Sequence, residues 1–380
     1  MKVSVNEVSI HSSDMEAVQT TLMQGWFSSS GPTVTNFEAN WASYCERQYG
    51  ISVSNGSTAL LAAFLALELT PGAEVIMPNF TIISCASSII QAGYVPIFID
   101  CELDTFNIDV NKIEERVTSK TEAILLVHIY GHPSDVKEIK AIAKKYNLKI
   151  VEDAAEAHGA RYLDETNRWA ICGSHFELST FSFFANKVVT TGEGGMVLTN
   201  DMNYDDKLRK IRNLYFPQER EYIHDKLGYQ FRLGSMQAAL GNSQINRITE
   251  TLEKKRSINQ RYRENLKDCP QIRFQKISKW ADPNYWVIAI LIQNTSLSAI
   301  SIRKMLMMSG IETRPFFTGM HAQPALLSDS TIDKQDFSKT EFATRNGIIL
   351  PSGINTTMEQ IDYVSETLIQ IVSEKSNDKI

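Results

Sequence analysis

Between residues 57 and 200 the chain alternates two patterns. Short apolar runs are separated by segments whose apolar positions return every three or four residues. The runs predict strands and the periodic segments predict helices. Ser57 or Thr58 caps a predicted helix over 57–69, which Pro71-Gly72 stops. Residues 74–77 predict a strand, 82–91 a helix ending at Gly93, and 94–99 a strand ending at Asp100. Residues 123–129 predict a strand that ends near His128 and Tyr130. Ser134 then caps a helix with Val136, Ile139, Ile142 and Ala143 on one face. Strands over 149–151, 180–184 and 195–199 complete the region.

This alternation predicts an α/β fold with a mainly parallel central sheet flanked by helices. Nearly continuous apolar strands suit burial on both faces. Ligands in such sheets bind beyond the carboxyl ends of the strands. Asn79, Asp100, His128, Asp153 and Ser182 cluster at those ends. After Gly241 the pattern changes. A long charged helix over 245–267, with Ile248, Leu252, Ile258 and Tyr262 on its apolar side, leads into a smaller α/β unit. That unit is expected to hold strands over 286–291 and 310–317, and helices over 301–308 and 358–372. The division expected is a large domain, 1–245, and a smaller one, 246–380, with a frayed polar tail over 373–380.

Composition narrows the classes. A hydrophobic share of 43% supports a large core, and a net charge of -6 argues against a general nucleic-acid binder. Cys45, Cys85, Cys101, Cys172 and Cys269 are scattered with no C-x-x-C, so neither a disulfide framework nor a zinc site is expected. A reducing cytoplasm fits that usage. The start lacks a signal-peptide apolar region, and the longest apolar run, 59–67, is too short to span a bilayer. No membrane or nucleic-acid partner is expected. No G-x-G-x-x-G follows an early strand, which disfavours a dinucleotide oxidoreductase.

The candidate chemistry centres on Lys187. It follows the apolar run 180–184 and precedes Gly192-Glu193-Gly194-Gly195, a turn that lets backbone approach closely. Taken alone, it reads as an exposed loop lysine. Pyridoxal phosphate asks for a lysine to hold its aldehyde, a carboxylate for its ring nitrogen, and amides with hydroxyls for its phosphate. Asp153 ends a buried strand and supplies the carboxylate. Ser54-Asn55-Gly56-Ser57-Thr58 opens a helix and supplies a phosphate cup, to which Ser182 adds a hydroxyl. Each of these has an ordinary reading as a cap; their order and spacing together favour the cofactor.

These stretches make the chain resemble the DegT-type sugar aminotransferases, which are fold-type I pyridoxal phosphate enzymes. The matching motifs are Ser54 to Leu60, Glu152 to Gly159, Phe181 to Met196, Gly228 to Leu233 and Glu312 to Phe317. The resemblance implies that Lys187 bonds the cofactor and later moves a proton, that Asp153 pairs with the ring nitrogen, and that Glu156 lies near the ring's phenolic oxygen. It implies phosphate contacts from Gly56, Ser57 and Ser182. It also implies a homodimer with shared active sites, in which the 228–232 loop, including Gln230, reaches in from the neighbouring subunit. L-glutamate would donate the amine to a keto sugar in a ping-pong cycle.

The sugar 3-dehydratases of the family carry histidine where Lys187 stands, so the resemblance implies amino transfer. Gln230 replaces the family's usual asparagine, Ile82 falls where an aromatic often stacks on the ring, and the 317–321 loop departs from the usual Phe-Tyr-Pro-x-His. The stretches around 127–133, 183–187 and 310–315 look most like members that aminate GDP-4-keto-6-deoxymannose for surface polysaccharide. The alternative acceptor is a non-nucleotide sugar such as 8-keto-3-deoxy-manno-octulosonate. His128, Arg212, Arg232, Arg314 and His321 are candidate substrate contacts, each with a structural salt bridge or core role as the competing reading. A catalytically silent relative would be expected to lose Lys187 or Asp153, and both are present.

Overall fold

A computed structural model describes residues 1–216, 222–326 and 335–373. Most of the expected tail, residues 374–380, lies outside them. The strands are β1 (Tyr49–Val53), β2 (Glu74–Pro78), β3 (Val95–Ile99), β4 (Thr121–Val127), β5 (Lys149–Asp153), β6 (Arg161–Leu163), β7 (Trp169–Ile171), β8 (Leu178–Ser182), β9 (Gly195–Thr199), β10 (Ile272–Phe274), β11 (Ala281–Asp282), β12 (Ile288–Ile292), β13 (Arg314–Pro315) and β14 (Gly347–Leu350).

The main sheet has seven strands in the order β1-β9-β8-β5-β4-β2-β3. β3, β2, β4, β5 and β8 pair in parallel, and β9 runs antiparallel to both β8 and β1. The fold is thus α/β with a mainly parallel sheet. Its inner strands are almost wholly buried, as their unbroken apolar runs demand. A second sheet, β10-β12-β14-β13, is antiparallel. It packs with the helices Ile248–Leu266, Ala299–Met308 and Met358–Ser373 around Tyr262, Ile290, Leu306 and Leu368.

The amino-terminal residues stitch this second layer to the first. Val3 N donates to Gly310 O, and Glu312 N donates to Val3 O, both at 2.9 Å. Ser352 N donates to Val5 O at 3.0 Å, and Asn6 Nδ2 donates to Asn186 O at 3.1 Å.

Several sequence expectations shift for physical reasons. Asn55, not Ser57 or Thr58, caps the helix Gly56–Leu67: its side chain accepts from Thr58 N at 2.9 Å, and Thr58 Oγ1 accepts from Asn55 N at 3.1 Å. Asp135 caps the helix Val136–Tyr146, because the Ser134 hydroxyl is spent on Val127 O at 2.7 Å. The strand expected over 310–317 shrinks to Arg314–Pro315 plus a bridge from Ile311 to Val3. Among the described residues no helix is long and apolar enough to cross a membrane.

Candidate active site

The carboxyl ends of β5 and β8 and the turn beyond β8 hold the residues expected to carry the chemistry. β5 ends on Glu152 and Asp153, whose side chains alternate across the sheet. Asp153 is 4% exposed. Its Oδ1 accepts from Ala155 N at 3.0 Å, and the Cys85 thiol donates to its Oδ2 at 3.5 Å. Glu156 follows in the turn after β5, and its Oε2 accepts from Tyr130 N at 2.7 Å. Tyr130 can present that amide because it adopts φ 57°, just before Gly131 at φ 84°. A side chain at Gly131 would collide with Asn284, whose Oδ1 lies 1.9 Å from the Cβ position.

Lys187 is folded back into this group. Its turn is closed by Lys187 N to Phe184 O at 2.9 Å and Phe183 N to Gly194 O at 2.8 Å. The side chain is 9% exposed; Nζ lies 4.0 Å from Glu156 Oε1 and 3.7 Å from the centroid of the Trp286 ring. Burial sets the electrostatics. It raises Asp153 above the ordinary carboxylate range and raises Glu156 to about 7, against the opposing pull of Lys187. It lowers Lys187, against the pull of Glu156 and Asp153.

The phosphate-cup candidates converge beside this trio. Thr180 lies opposite Asp153 in the β5–β8 register, and Ser182 stands two residues further, about 7 Å along the strand. A Cβ on Gly56 would lie 2.7 Å from Ser182 Cβ. The glycine therefore lets the first turn of its helix touch Ser182. The amides of Gly56 and Ser57 belong to that first turn, where no intrahelical acceptor exists.

Most other sequence candidates are engaged by partners of their own. His128 is fully buried and its Nε2 bonds Glu152 Oε1 at 2.9 Å. Arg212 is taken up by Glu38 and by Ser52 O at 2.8 Å. Gln230 is exposed and accepts from Arg232 Nε at 2.6 Å; the backbone beside them meets the phosphate cup through Ser54 N to Phe231 O at 2.7 Å. His321 is anchored to Asn79 by two bonds, at 2.8 and 3.0 Å. Arg314 lies exposed on the edge strand β13. Asn79 and Asp100 turn out to fasten later segments, Asp100 through Thr340 at 2.7 and 2.9 Å. Sequence reasoning missed Cys85, Tyr130, Asn284 and Trp286; the Gly131-His132-Pro133 turn was the one local signal for Tyr130.

The DegT/DnrJ/EryC1/StrS aminotransferase family matches residues 8–369. The chain belongs to this family. It is 36% identical over 373 residues to a GDP-perosamine synthase of Escherichia coli O157:H7, covering 98% of this chain and 99% of that one. It is 34% identical to the GDP-perosamine synthase of Caulobacter vibrioides, with 94% of each covered. The structure of S. venezuelae DesV in complex with a ketimine intermediate superposes with a TM-score of 0.90 at 27% identity, covering 98% of this chain and 99% of that one. The chain is a sugar aminotransferase of PLP fold type I, and its cofactor is pyridoxal phosphate.

The residues present fit that cofactor. Asp153 is a buried carboxylate whose one side-chain donor among the described residues is a weakly donating thiol, so it has acceptor capacity for a ring N–H. Gly56, Ser57 and Ser182 offer amides and hydroxyls at one point for a phosphate. Ile82, at the start of the helix Ile83–Gln91, leaves its apolar side chain 46% exposed on the same edge of the sheet.

Proposed function

We propose that this aminotransferase moves an amino group from L-glutamate to a nucleotide-linked 4-keto-6-deoxy sugar, of the kind GDP-perosamine synthases use, for surface polysaccharide. The observation that carries the reaction type is the buried trio Asp153, Glu156 and Lys187, with Lys187 Nζ 4.0 Å from Glu156 Oε1. The acceptor class rests on the near full-length likeness to GDP-perosamine synthases.

When bound, pyridoxal phosphate supplies an electron sink that makes a neighbouring C–H acidic. Lys187 would hold the cofactor through Nζ, and the same atom, when free, would carry a proton between the donor carbon and the cofactor carbon. Burial lowers its ammonium, so Nζ reaches the neutral, proton-accepting form more easily than an exposed lysine. Asp153 would keep the ring nitrogen protonated. Glu156 would lie near the phenolic oxygen, and Gly56, Ser57 and Ser182 would hold the phosphate. Arg232, His321 and Arg314 are the candidates for substrate contacts. We read Gln230 and Arg232 as part of a loop that completes the site of a second copy in a cytoplasmic homodimer. Its exposed Leu227 and Tyr229 support that reading.

The test is the absorbance spectrum of the purified protein before and after L-glutamate, followed by a panel of keto sugars. Conversion of the cofactor band by glutamate, then its recovery with GDP-4-keto-6-deoxymannose, is expected. Recovery only with a dTDP-linked or a non-nucleotide keto sugar would overturn the acceptor and leave the reaction type standing. A band that glutamate leaves unchanged would overturn the donor.

A further inference from the structure

Trp286 lies 100 residues beyond Asn186, yet its indole Nε1 donates to Asn186 O at 2.8 Å, one residue before Lys187. The rest of the residue is pinned. Its backbone N donates to Asn284 Oδ1 at 2.9 Å, and its carbonyl accepts from the buried Lys255 Nζ at 3.0 Å. Asn284 in turn donates to the carbonyls of Glu156, at 2.9 Å, and His158, at 3.1 Å. The residue is 7% exposed, and its indole is bonded to the turn that carries Lys187.

Lys187 Nζ sits 3.7 Å above this ring's centroid, well inside the distance at which an aromatic face attracts a cation. Its carboxylate neighbour is further off, at 4.0 Å. Lysine carries more rotamer freedom than most side chains, and an amine released inside a cavity loses its aim unless something holds it. We propose that the face of Trp286 is the resting seat of the free Lys187 amine, where Nζ waits whenever it is not bonded to the cofactor.

This rests on Lys187 being the cofactor's lysine. Trp286 is then a positioning residue: it keeps Nζ beside Glu156 and over the site during the part of each half-reaction when the lysine is unbonded. The groups facing Nζ are Glu156 and Asp153 from the end of β5 and its turn, Cys85 from the helix Ile83–Gln91, and His158, which burial holds neutral. Among these contacts the indole face is the uncharged one that favours the ammonium form.

The test is capture of added pyridoxal phosphate by the apoenzyme, followed by absorbance across a pH series, because capture needs the neutral amine. Trp286→Leu is expected to move the midpoint of the rate profile to lower pH by about half to one unit. Trp286→Phe, which keeps a weaker face, is expected to move it less. Ring-fluorinated tryptophan at position 286 keeps the N–H and drains the face, so the midpoint is expected to fall with each added fluorine. An unmoved midpoint across the fluorinated series overturns the proposal, as does a Phe variant that shifts as far as Leu. A wild-type apoenzyme that captures no pyridoxal phosphate would instead refute the assignment of Lys187.

Discussion

Glu152 and Asp153 are neighbours on β5, equally deep in the protein, and they live under opposite regimes. Burial works to raise the carboxyl of Glu152, but His128 Nε2 at 2.9 Å, Ser179 Oγ at 2.7 Å and Gly173 N at 2.9 Å overcome it and hold it low. Burial likewise raises Asp153, whose bonds to Ala155 N and the Cys85 thiol do not compensate, and it stays high. A buried charge that serves the fold has its partners supplied by the fold. A buried carboxylate left short of donors keeps acceptor capacity, and the proposed role of Asp153 rests on that capacity.

The largest expected effect lies on the functional side. Lys187→Ala should lower turnover by roughly 10²–10⁴-fold or more, read from steady-state assays with L-glutamate and the keto sugar. Wild-type turnover in that variant would remove the basis of the assignment. Asp153→Ala should cost roughly 10²–10³-fold in kcat while leaving the urea midpoint of the apoenzyme unchanged or higher, since an underpaired carboxylate is lost. On the structural side, His128→Ala should cost about 1–3 kcal/mol of stability by removing one of the three donors to Glu152, with the folded fraction keeping its cofactor spectrum. If Asp153→Ala proved the less stable of the two, the contrast would be wrong.

A pH series sharpens the same contrast. Glu156 is raised to about 7 by burial, so the contribution of this group to apoenzyme stability is full below its ordinary carboxylate range and is lost as pH rises through about 7. Glu152, held low, contributes in the other direction: its part is present above the ordinary range and lost as pH falls through its depressed value. Urea midpoints of Glu156→Gln should therefore show a smaller loss of stability toward pH 7 than the parent, with the part due to Asp153 remaining. The smallest effect is expected from Gly56→Ala, whose Cβ would press on Ser182; pyridoxal phosphate affinity should weaken by roughly tenfold, about 1.4 kcal/mol, by equilibrium titration.

Much of the central sheet was legible because its strands are short apolar runs between capped helices, and burial on both faces leaves little ambiguity. Lys187, Asp153, Glu156 and Ser182 each sit in a local motif, which is why the sequence could nominate them as neighbours. What sequence could not show was contact made at a distance. Trp286 reaches Asn186 from the far side of the helix Ile248–Leu266, and nothing near Trp286 announces it. The polar strand ends misled for a related reason. Asn79, Asp100 and His128 carry the same residue types as a ligand site, and only their partners, His321, Thr340 and Glu152, reveal them as fasteners. The strand over 310–317 failed because Ile311 finds its partner in Val3 rather than in a neighbouring strand of the second sheet.

The amino-terminal stitch has a consequence for the order of events during synthesis. Val3 leaves the ribosome long before its backbone partners, Gly310 and Glu312. Contacts so distant in the chain form last. Asn6 bonds Asn186 O from the same segment, and Trp286 supplies the other donor to that carbonyl. The turn that holds Lys187 is therefore tied down by residues far before and far after it. A nascent chain stopped before residue 286 would hold every strand of the central sheet without the Trp286 donor, so the turn is completed only after the sheet has been made.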